Sequence, residues 1–538
     1  MLFNSPIFLF AFLPSTVGFY VLLRQFAGPR AVLGLLLSAS LLFYAWWNPV
    51  YLPVLCGIAV FNFLVARSIT AQRSAGRTSW VRLLLIFGIA VDLLVLGYFK
   101  YTDFLIDTAN TLVRTDFLLQ HIILPLGISF FTFQKIAYLV DSARGKVAEH
   151  DFLEYCFFVM FFPQLLAGPI THHSEIFLQI KGPRAFAIKP SNLVLGLTIF
   201  VIGLFKKVVL ADNFAPYVSS VYDAAIAGQT LDFFTAWQGA IAFKFQLYFD
   251  FSGYSEMALG AARLFGIQLP LNFNSPYRAL NVVDFWRRWH MTLSRFLRDY
   301  LYIPLGGNRE GNTRRHCNLM ITMLLGGLWH GANWTFVVWG GLHGVYLIIN
   351  HGWRAIRPDR ALSGVPVALR KATSIGVTFA AVTVAWVVFR ASDLGTAGDM
   401  LAAMMGANGI NPTDGLAMPR PLTGWLDAVG FGAFATSANL LRYAGALALV
   451  FTAPEYAVHH RRRSLKRTGN GQRRAAEHRL AEQFRLGRRA RHNRRRSLDY
   501  IHSGQRISVL SILIGNDLRT VTPLVFHRAF RISGLCSP

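Results

Sequence analysis

Charge is what this sequence has little of. Only 15% of its 538 residues are charged, whereas about 25% are charged in an average soluble domain. Hydrophobic residues make up 54% and the mean hydropathy is +0.40. Apolar runs recur at close to the ~20 residues that a bilayer requires. The composition therefore excludes an ordinary soluble globular protein and predicts a polytopic integral membrane protein.

Cysteine and the familiar catalytic motifs are also scarce. The four cysteines lie far apart in the sequence, so neither a disulfide framework nor a zinc site is indicated. No phosphate-binding loop, dinucleotide-binding glycine motif, HExxH helix or GxSxG elbow is present. These absences argue against a nucleotide hydrolase, a zinc protease or a serine esterase, and we predict neither a metal site nor a bound cofactor.

Eleven apolar segments are candidate membrane spans, and they predict an all-α fold with re-entrant or interfacial helices between the spans. The segments are 6–23, 31–47, 50–66, 83–99, 152–170, 192–210, 234–252, 318–338, 335–350, 373–390 and 436–453. The overlapping pair corresponds either to one long broken helix or to two short ones. Pro125–Phe133 is apolar but short and contains glycine and proline, which predicts a re-entrant or broken helix enclosed by protein.

The loop charges predict an orientation in the membrane. The loop after the first span contains Arg24 and Arg30, the loop around Asn48 contains no basic residue, and the next loop contains four arginines between residues 67 and 82. Cytoplasmic loops are the ones enriched in lysine and arginine. The first and third loops are therefore predicted to be cytoplasmic, which places the N-terminus on the periplasmic side.

The basic residues are concentrated at the C-terminal end. From Glu455 onward, nineteen arginine and lysine residues face five acidic ones, so +14 of the +26 net charge lies there. We predict a membrane domain over residues 1–455 and an Arg-rich, mostly disordered extension over 456–538. No motif in the extension indicates nucleic-acid binding. Basic residues in the membrane domain suit cytoplasmic loops, anionic lipids or an anionic substrate.

His330 is the most informative residue, because Met320–Gly340 around it contains no Asp, Glu, Lys or Arg. A titratable group in hydrocarbon is energetically unfavourable, so it indicates a functional site that faces the helix bundle. Burial beside Trp329 and Trp334 would keep the imidazole neutral and able to accept a hydroxyl proton. The alternative is a structural histidine that bonds to a neighbouring helix. Three glycines leave room for a substrate or for close helix packing: Gly326, Gly327 and Gly331.

The segment Asp284–Tyr302 is basic and rich in aromatic residues, and it contains His290. It predicts an amphipathic helix at the membrane interface. Its arginines either face lipid headgroups or hold the phosphates of a nucleotide-bearing donor, and Arg287 and Arg288 are the predicted substrate contacts.

Two further groups complete the candidate site. Asp250 at the end of an apolar run implies an Arg or His partner, and it either orients the active site or caps a helix. Asn333 and Trp334 are predicted substrate contacts. Asn333, a tryptophan indole N–H or a backbone N–H near Gly331 would donate to a tetrahedral oxyanion. His343 would point away from His330 on one straight helix, which favours a structural role.

Three stretches together resemble the membrane-bound O-acyltransferase family, and within it the alginate O-acetyltransferase branch. They are Asp284–His290 (DFWRRWH), Leu297–Arg309 (LRDYLYIPLGGNR) and Gly327–Trp334 (GLWHGANW). The resemblance extends from the N-terminus to about residue 455, and teichoic acid D-alanyl transferases are more distant relatives.

The resemblance implies a helical fold around a central funnel, in which the catalytic histidine maps onto His330 and a second characteristic histidine onto His290. It implies acyl transfer from a cytoplasmic thioester, acetyl-CoA in the alginate branch, toward hydroxyls of an exported polysaccharide such as alginate. It also implies a bacterial inner-membrane location and periplasmic acetyltransferase partner proteins. D-alanyl or other acyl transfer to a cell-wall polymer is one alternative. A proton-coupled transporter or flippase that uses buried His and Asp is another.

Overall fold

The computed structural model describes residues 1–147, 151–166, 168–182, 185–356, 366–410 and 437–452. All of them belong to one compact unit, Met1–Arg461. The described residues form helices, turns and loops with no strand, which confirms the all-α prediction. The extension predicted over residues 456–538 lies outside the described residues.

The described residues up to position 205 form nine α-helices. They are α1 (Leu13–Phe26), α2 (Pro29–Ala45), α3 (Leu52–Ser74), α4 (Thr78–Val113), α5 (Ile128–Ala143), α6 (Phe152–Met160), α7 (Phe162–Leu165), α8 (His173–Ile180) and α9 (Pro190–Phe205). A π-helical segment, Phe8–Phe12, leads into α1.

Nine more α-helices follow in the described part of the chain. They are α10 (Asp212–Ile226), α11 (Phe233–Leu264), α12 (Val282–Trp286), α13 (Met291–Leu297), α14 (Gly311–His330), α15 (Trp334–Ile356), α16 (Val367–Arg390), α17 (Leu394–Met404) and α18 (Ser437–Thr452). A π-helical turn, Lys206–Ala211, joins α9 to α10.

Within the described ranges, five helices are long and apolar enough to cross a membrane. They are Phe8–Phe26, Pro49–Ser74, Thr78–Val113, Pro190–Ile226 and Val367–Arg390. The eleven spans predicted from the sequence are therefore not confirmed as a count. The overlapping pair at 318–350 forms two helices, α14 and α15, rather than one broken helix.

Two predicted membrane segments have a different structure. The predicted span 152–170 contains α6 and α7, which are separated at the non-helical residue Phe161. Both helices are too short to cross a bilayer. Within the predicted re-entrant segment Pro125–Phe133, a tight turn leads at Ile128 into α5, whose side chains are mostly buried in protein. The segment is therefore enclosed by protein, which is what a re-entrant or broken helix requires at membrane depth.

The α14–α15 hairpin is packed backbone to backbone. A methyl group on Gly327 would collide with the carbonyl oxygen of Phe336, and one on Gly340 would collide with the carbonyl oxygen of Met323. Glycine lets two helix backbones approach this closely, as in other membrane helix pairs. The glycines near His330 therefore serve packing: Gly327 faces the backbone of α15 and Gly331 faces the Phe336 ring.

A group of buried tryptophans fixes the centre of the molecule. Trp289, Trp339 and Trp386 are each at most 2% exposed. The ring of Trp386 lies 5.0 Å from that of Trp289 and 5.5 Å from that of Trp339, measured between centroids. Large aromatic rings contribute much of the energy of a protein core. These contacts tie the segment before α13 to α15 and α16, where the candidate site lies.

Candidate active site

A cavity of about 340 Å³ lies against this tryptophan group, which is within the roughly 300–1,000 Å³ typical of small-molecule sites. Its wall is mainly apolar and aromatic, with one lysine and two histidines. The lining consists of Lys100, Leu124, Pro125, Leu126, Gly127, Ile128, Ser129, Phe130, Leu166, Leu247, Phe251, Trp289, His290, Trp329, His330, Trp386 and Phe389.

His330 is the last residue of α14 and lines the cavity. The chain leaves the helix at Gly331 in an extended conformation, which ends α14 and exposes the imidazole to the cavity. The ring packs edge-on against Trp339 and Phe389, at centroid distances of 5.1 and 5.4 Å. Because the helix ends here, Trp334 does not follow His330 on one helical face, as a continuous helix would have placed it.

His290 lies across the cavity, with its ring centroid 6.5 Å from that of His330. It is 1% exposed, and both of its ring nitrogens lack a hydrogen-bond partner among the described residues. Its backbone is left-handed, with φ 41° and ψ 53°. This conformation is uncommon for a residue other than glycine and is characteristic of functional sites. The structure thus brings the two predicted catalytic histidines together.

The predicted interfacial helix Asp284–Tyr302 is wrong as a single element. The left-handed residue His290 breaks it into α12 and α13, and a π-helical turn, Arg298–Tyr302, follows. Trp289 is buried in the core instead of facing the headgroups. Burial of the aromatic side chains in this segment outweighs the helical periodicity of its sequence.

Three of the four arginines in this segment form ion pairs with carboxylates of the described residues. Arg288 pairs with Asp284 through Nε at 2.8 Å, Arg295 pairs with Glu175, and Arg298 pairs with Asp299. Neither Arg287, which is exposed, nor Arg288 contributes to the described cavity wall. Three of the four arginine charges are thus already balanced within the protein.

The structure does not bring Asp250, Asn333 or Trp334 into the described cavity wall. Asp250 pairs with Lys207, whereas the sequence suggested an arginine or a histidine. The amide of Asn333 donates to the Ser392 carbonyl at 2.8 Å and accepts from the Thr335 N–H at 2.9 Å, where it caps α15. Trp334 is 48% exposed. Its ring packs against Phe104 at 5.5 Å by centroid, so the described contacts of all three side chains are to residues outside the cavity lining.

His343 is buried behind the cavity wall. The Trp286 indole donates a hydrogen bond to its Nδ1 at 3.3 Å. The ring of Trp339 lies between the two histidines, 4.9 Å from His343 and 5.1 Å from His330 by centroid. His343 therefore supports the ring against which His330 packs.

Lys100 also lines the cavity and is not among the site residues predicted from the sequence. It lies on α4, and its ammonium donates to the Trp329 carbonyl and, at 3.2 Å, to Ser129 Oγ. The adjacent Tyr101 hydroxyl donates to the Leu328 carbonyl at 2.8 Å. The signal was present in the sequence, because a lysine directly follows the apolar run 83–99 in a helix longer than a span requires.

A second, polar pocket of about 300 Å³ contrasts with the cavity. It is lined by a set of residues named here the polar cluster: Asp141, Lys146, His172, His173, Ser174, Glu175, Arg295 and Asp299. Tyr300, which adjoins it, donates to Asp141 at 2.8 Å and contacts His172 Nδ1 at 3.0 Å. Arg295 holds both oxygens of Glu175, at 2.7 and 2.9 Å.

The polar cluster lies outside the five candidate spans. Burial opposes ionisation of Glu175, but the two hydrogen bonds and the charge of Arg295 outweigh it and lower the pKa of this carboxyl below its ordinary 4.5. Burial lowers the pKa of His173, although Asp141 at 3.5 Å partly opposes the shift. The ionisable groups here are balanced by one another.

Four stacked or tilted aromatic rings connect the polar cluster to the cavity. From the cluster inward, centroid distances are 5.1 Å for Tyr300–Phe296, 4.1 Å for Phe296–Phe133 and 5.2 Å for Phe133–Trp329. Trp329 then lines the cavity. In the described ranges, no three His, Cys, Asp or Glu side chains are grouped so that they could hold a metal ion.

Comparison with known proteins identifies a matching family and several relatives. Residues 78–382 match the model of the membrane-bound O-acyltransferase family. The chain is 45% identical to a peptidoglycan O-acetyltransferase of Helicobacter pylori, over 76% of this chain and 81% of that protein. It is 43% identical to a probable alginate O-acetylase of Pseudomonas aeruginosa, over 75% of each chain. A teichoic acid D-alanyltransferase of Streptococcus thermophilus is 30% identical, over 49% of this chain and 68% of that protein.

Proposed function

The chain belongs to the membrane-bound O-acyltransferase family, and from this premise we propose that it transfers an acetyl group from acetyl-CoA toward hydroxyls of an exported polysaccharide, with His330 as general base. The observation that carries this proposal is the placement of His330 and His290 in one cavity, with their ring centroids 6.5 Å apart. A general base must reach the proton that it removes, and an imidazole at a cavity wall has that access.

In the proposed reaction, the neutral His330 imidazole takes the proton of the acceptor hydroxyl while the hydroxyl oxygen attacks the thioester carbonyl. The new C–O bond gives a tetrahedral oxyanion. Its collapse breaks the C–S bond, and the departing thiolate takes the proton back from the imidazolium. General-base assistance of this kind contributes roughly 10²–10⁴-fold. The mainly apolar and aromatic wall disfavours water, which would otherwise compete with the acceptor.

The oxyanion requires hydrogen-bond donors. Of the sequence candidates, the Asn333 amide is occupied as a helix cap. The Trp329 side chain lines the cavity, and its indole N–H is buried without a hydrogen-bond partner among the described residues. We assign the oxyanion contact to this indole, and we assign His290 to binding a reacting oxygen or sulfur, since both of its ring nitrogens are unpaired.

The donor, the acceptor and the location are parts of the same proposal. No separate cofactor is needed, because the thioester already carries an activated acyl group. The relatives are named for peptidoglycan and alginate, so the acceptor proposed here is an exported polysaccharide, reached through periplasmic partner proteins. We place the chain in the bacterial inner membrane with its N-terminus in the periplasm. In this orientation, Arg73 lies on the cytoplasmic face. Gly145, which Arg73 contacts just after the end of α5, lies on the same face.

The test uses permeabilised membranes of the expressing cell, which retain natural acceptors and partners. Acetyl-CoA consumption and polymer-bound acetate are measured for the wild-type protein and for His330→Ala. We expect the variant to lose at least about 100-fold in both. His351→Ala, at the far end of α15, is the control and should keep wild-type rates.

Each alternative predicts a different outcome of this experiment. A proton-coupled transporter would consume no acetyl-CoA in either form. A D-alanyl transferase would leave acetyl-CoA untouched and esterify a cell-wall polymer with D-alanine. Retained consumption in His330→Ala would overturn the general-base assignment.

A further inference from the structure

The clearest feature that the proposed reaction does not use is Lys100 with its two carbonyl contacts. Two consecutive residues of α4, Lys100 and Tyr101, donate to two consecutive carbonyls in the last turn of α14, those of Trp329 and Leu328. The lysine also reaches Ser129 at the start of α5. Three walls of the cavity therefore meet at one ammonium group.

The carbonyl end of α14 favours a positive charge on His330 but opposes a negative charge beside it. The last four carbonyls of a helix have no partner within the helix, and together they carry about −0.5 of an elementary charge. His330 is the last residue of this helix and lines the cavity. An oxyanion that forms beside His330 would be repelled by these carbonyls, and an aromatic wall screens the repulsion poorly.

Building on the proposed function, we propose that Lys100 is a positioning residue, whose ammonium neutralises the carbonyl end of α14 so that negative charge can develop beside His330. Lys100 is the one Lys, Arg, Asp or Glu among the cavity-lining residues described. Its bonds to Trp329 and Ser129 fix the ammonium in place, so the charge is already oriented before the substrates arrive.

Tyr101 provides a matched control within the same helix. Its hydroxyl makes the neighbouring bond to the Leu328 carbonyl but carries no charge, and Tyr101 is not among the described residues that line the cavity. If the contacts served only to tie α4 to α14, loss of either one would have a similar effect. If the charge matters, only the lysine variants lose turnover.

The experiment compares Lys100→Gln, Lys100→Arg and Tyr101→Phe with the wild type in the permeabilised-membrane assay, with acetyl-CoA as the donor. Glutamine keeps hydrogen-bond donors but removes the charge, whereas arginine keeps both. We expect Lys100→Gln to lower kcat about 30-fold, which corresponds to about 2 kcal/mol of charge–dipole interaction in a buried setting. The KM for acetyl-CoA should stay within about twofold, because the charge acts on the transition state. Lys100→Arg and Tyr101→Phe should stay within about threefold of the wild-type kcat.

Several results would overturn the inference: full turnover in Lys100→Gln, an equal loss in Tyr101→Phe, or a raised KM with unchanged kcat, which would make Lys100 a substrate contact. If Lys100→Gln does not accumulate in the membrane, the kcat of Lys100→Arg tests the inference instead. A requirement for the shape of lysine alone would abolish the activity of Lys100→Arg, whereas a requirement for the charge would preserve it. His330→Ala separates the two proposals. If His330→Ala is inactive and Lys100→Gln is fully active, only the role of Lys100 is overturned. If His330→Ala is active, both the proposed function and this inference are overturned.

Discussion

The cavity and the polar cluster are connected through α5 and α13, but their histidines differ in whether they have polar neighbours. Helix α5 begins beside the cavity with Ile128 and Ser129 and reaches the cluster at Asp141. Helix α13 follows the cavity residue His290 and contributes Arg295 to the cluster. In the cluster, His172 and His173 have a tyrosine hydroxyl and a carboxylate as neighbours. In the cavity, the ring nitrogens of His290 have no partner within the described structure. Availability for a ligand, more than presence in a buried site, separates the two kinds of histidine.

The strongest challenge to this comparison is the same substitution made once in each region. His290→Gln removes an unpaired ring from the cavity, so we expect turnover of acetyl-CoA to fall about 100-fold. His173→Gln removes a ring held against Asp141, so turnover should stay within about twofold, with a stability loss of about 1 kcal/mol. Initial rates, normalised to the amount of protein in the membranes, provide the measurement. Equal losses in the two variants would remove the distinction between the regions.

A second prediction concerns the hairpin that carries His330. Gly340→Ala places a methyl group against the Met323 carbonyl, whereas Gly341→Ala meets only the Leu324 side chain at an ordinary 3.5 Å. Overpacking of this kind typically destabilises by about 1–3 kcal/mol. We therefore expect Gly340→Ala to lower the thermal unfolding temperature in detergent. We also expect it to reduce the turnover of acetyl-CoA about tenfold. The neighbouring control should do neither, and matching behaviour of the two variants would mean that the close helix approach is unimportant.

The smallest expected effect is a pH dependence confined to the polar cluster. A carboxyl whose pKa is lowered by folding stabilises the folded state above its unfolded pKa, and this stabilisation is lost as the pH falls through the folded value. For Glu175, the loss should begin near its ordinary pKa of 4.5 and continue below it. Glu175→Gln should be less stable than the wild type at pH 7 by about 1 kcal/mol.

The difference between Glu175→Gln and the wild type should shrink as the sample is acidified below pH 4.5, as followed by thermal unfolding at several pH values. Turnover at pH 7 should stay within about twofold, since the cluster is outside the cavity. A difference that stays constant down to pH 3 would show that the Arg295 pair does not stabilise the ionised carboxyl.

Of the seven site residues predicted from the sequence, the structure places two in the cavity wall and five outside its described lining. An imidazole in an uncharged apolar stretch indicated His330, and the family resemblance added His290; the structure places both in one cavity. The break at His290 was not predictable, because no glycine or proline marks it and the cause is the burial of Trp289 in the core. Lys100 differs, because its position directly after the apolar run 83–99 is visible in the sequence, and only its partner carbonyl, 229 residues away in the chain, is not.

The aromatic rings between the two pockets form a short barrier compared with the thickness of a bilayer. His290 and Arg295 are five residues apart, which is roughly 7.5 Å along a helix, whereas the hydrocarbon core of a bilayer is about 30 Å thick. Along this path, the stacked rings of Phe296, Phe133 and Trp329 lie between the polar cluster and the cavity. We therefore expect these three side chains to form the local seal between the polar cluster and the cavity.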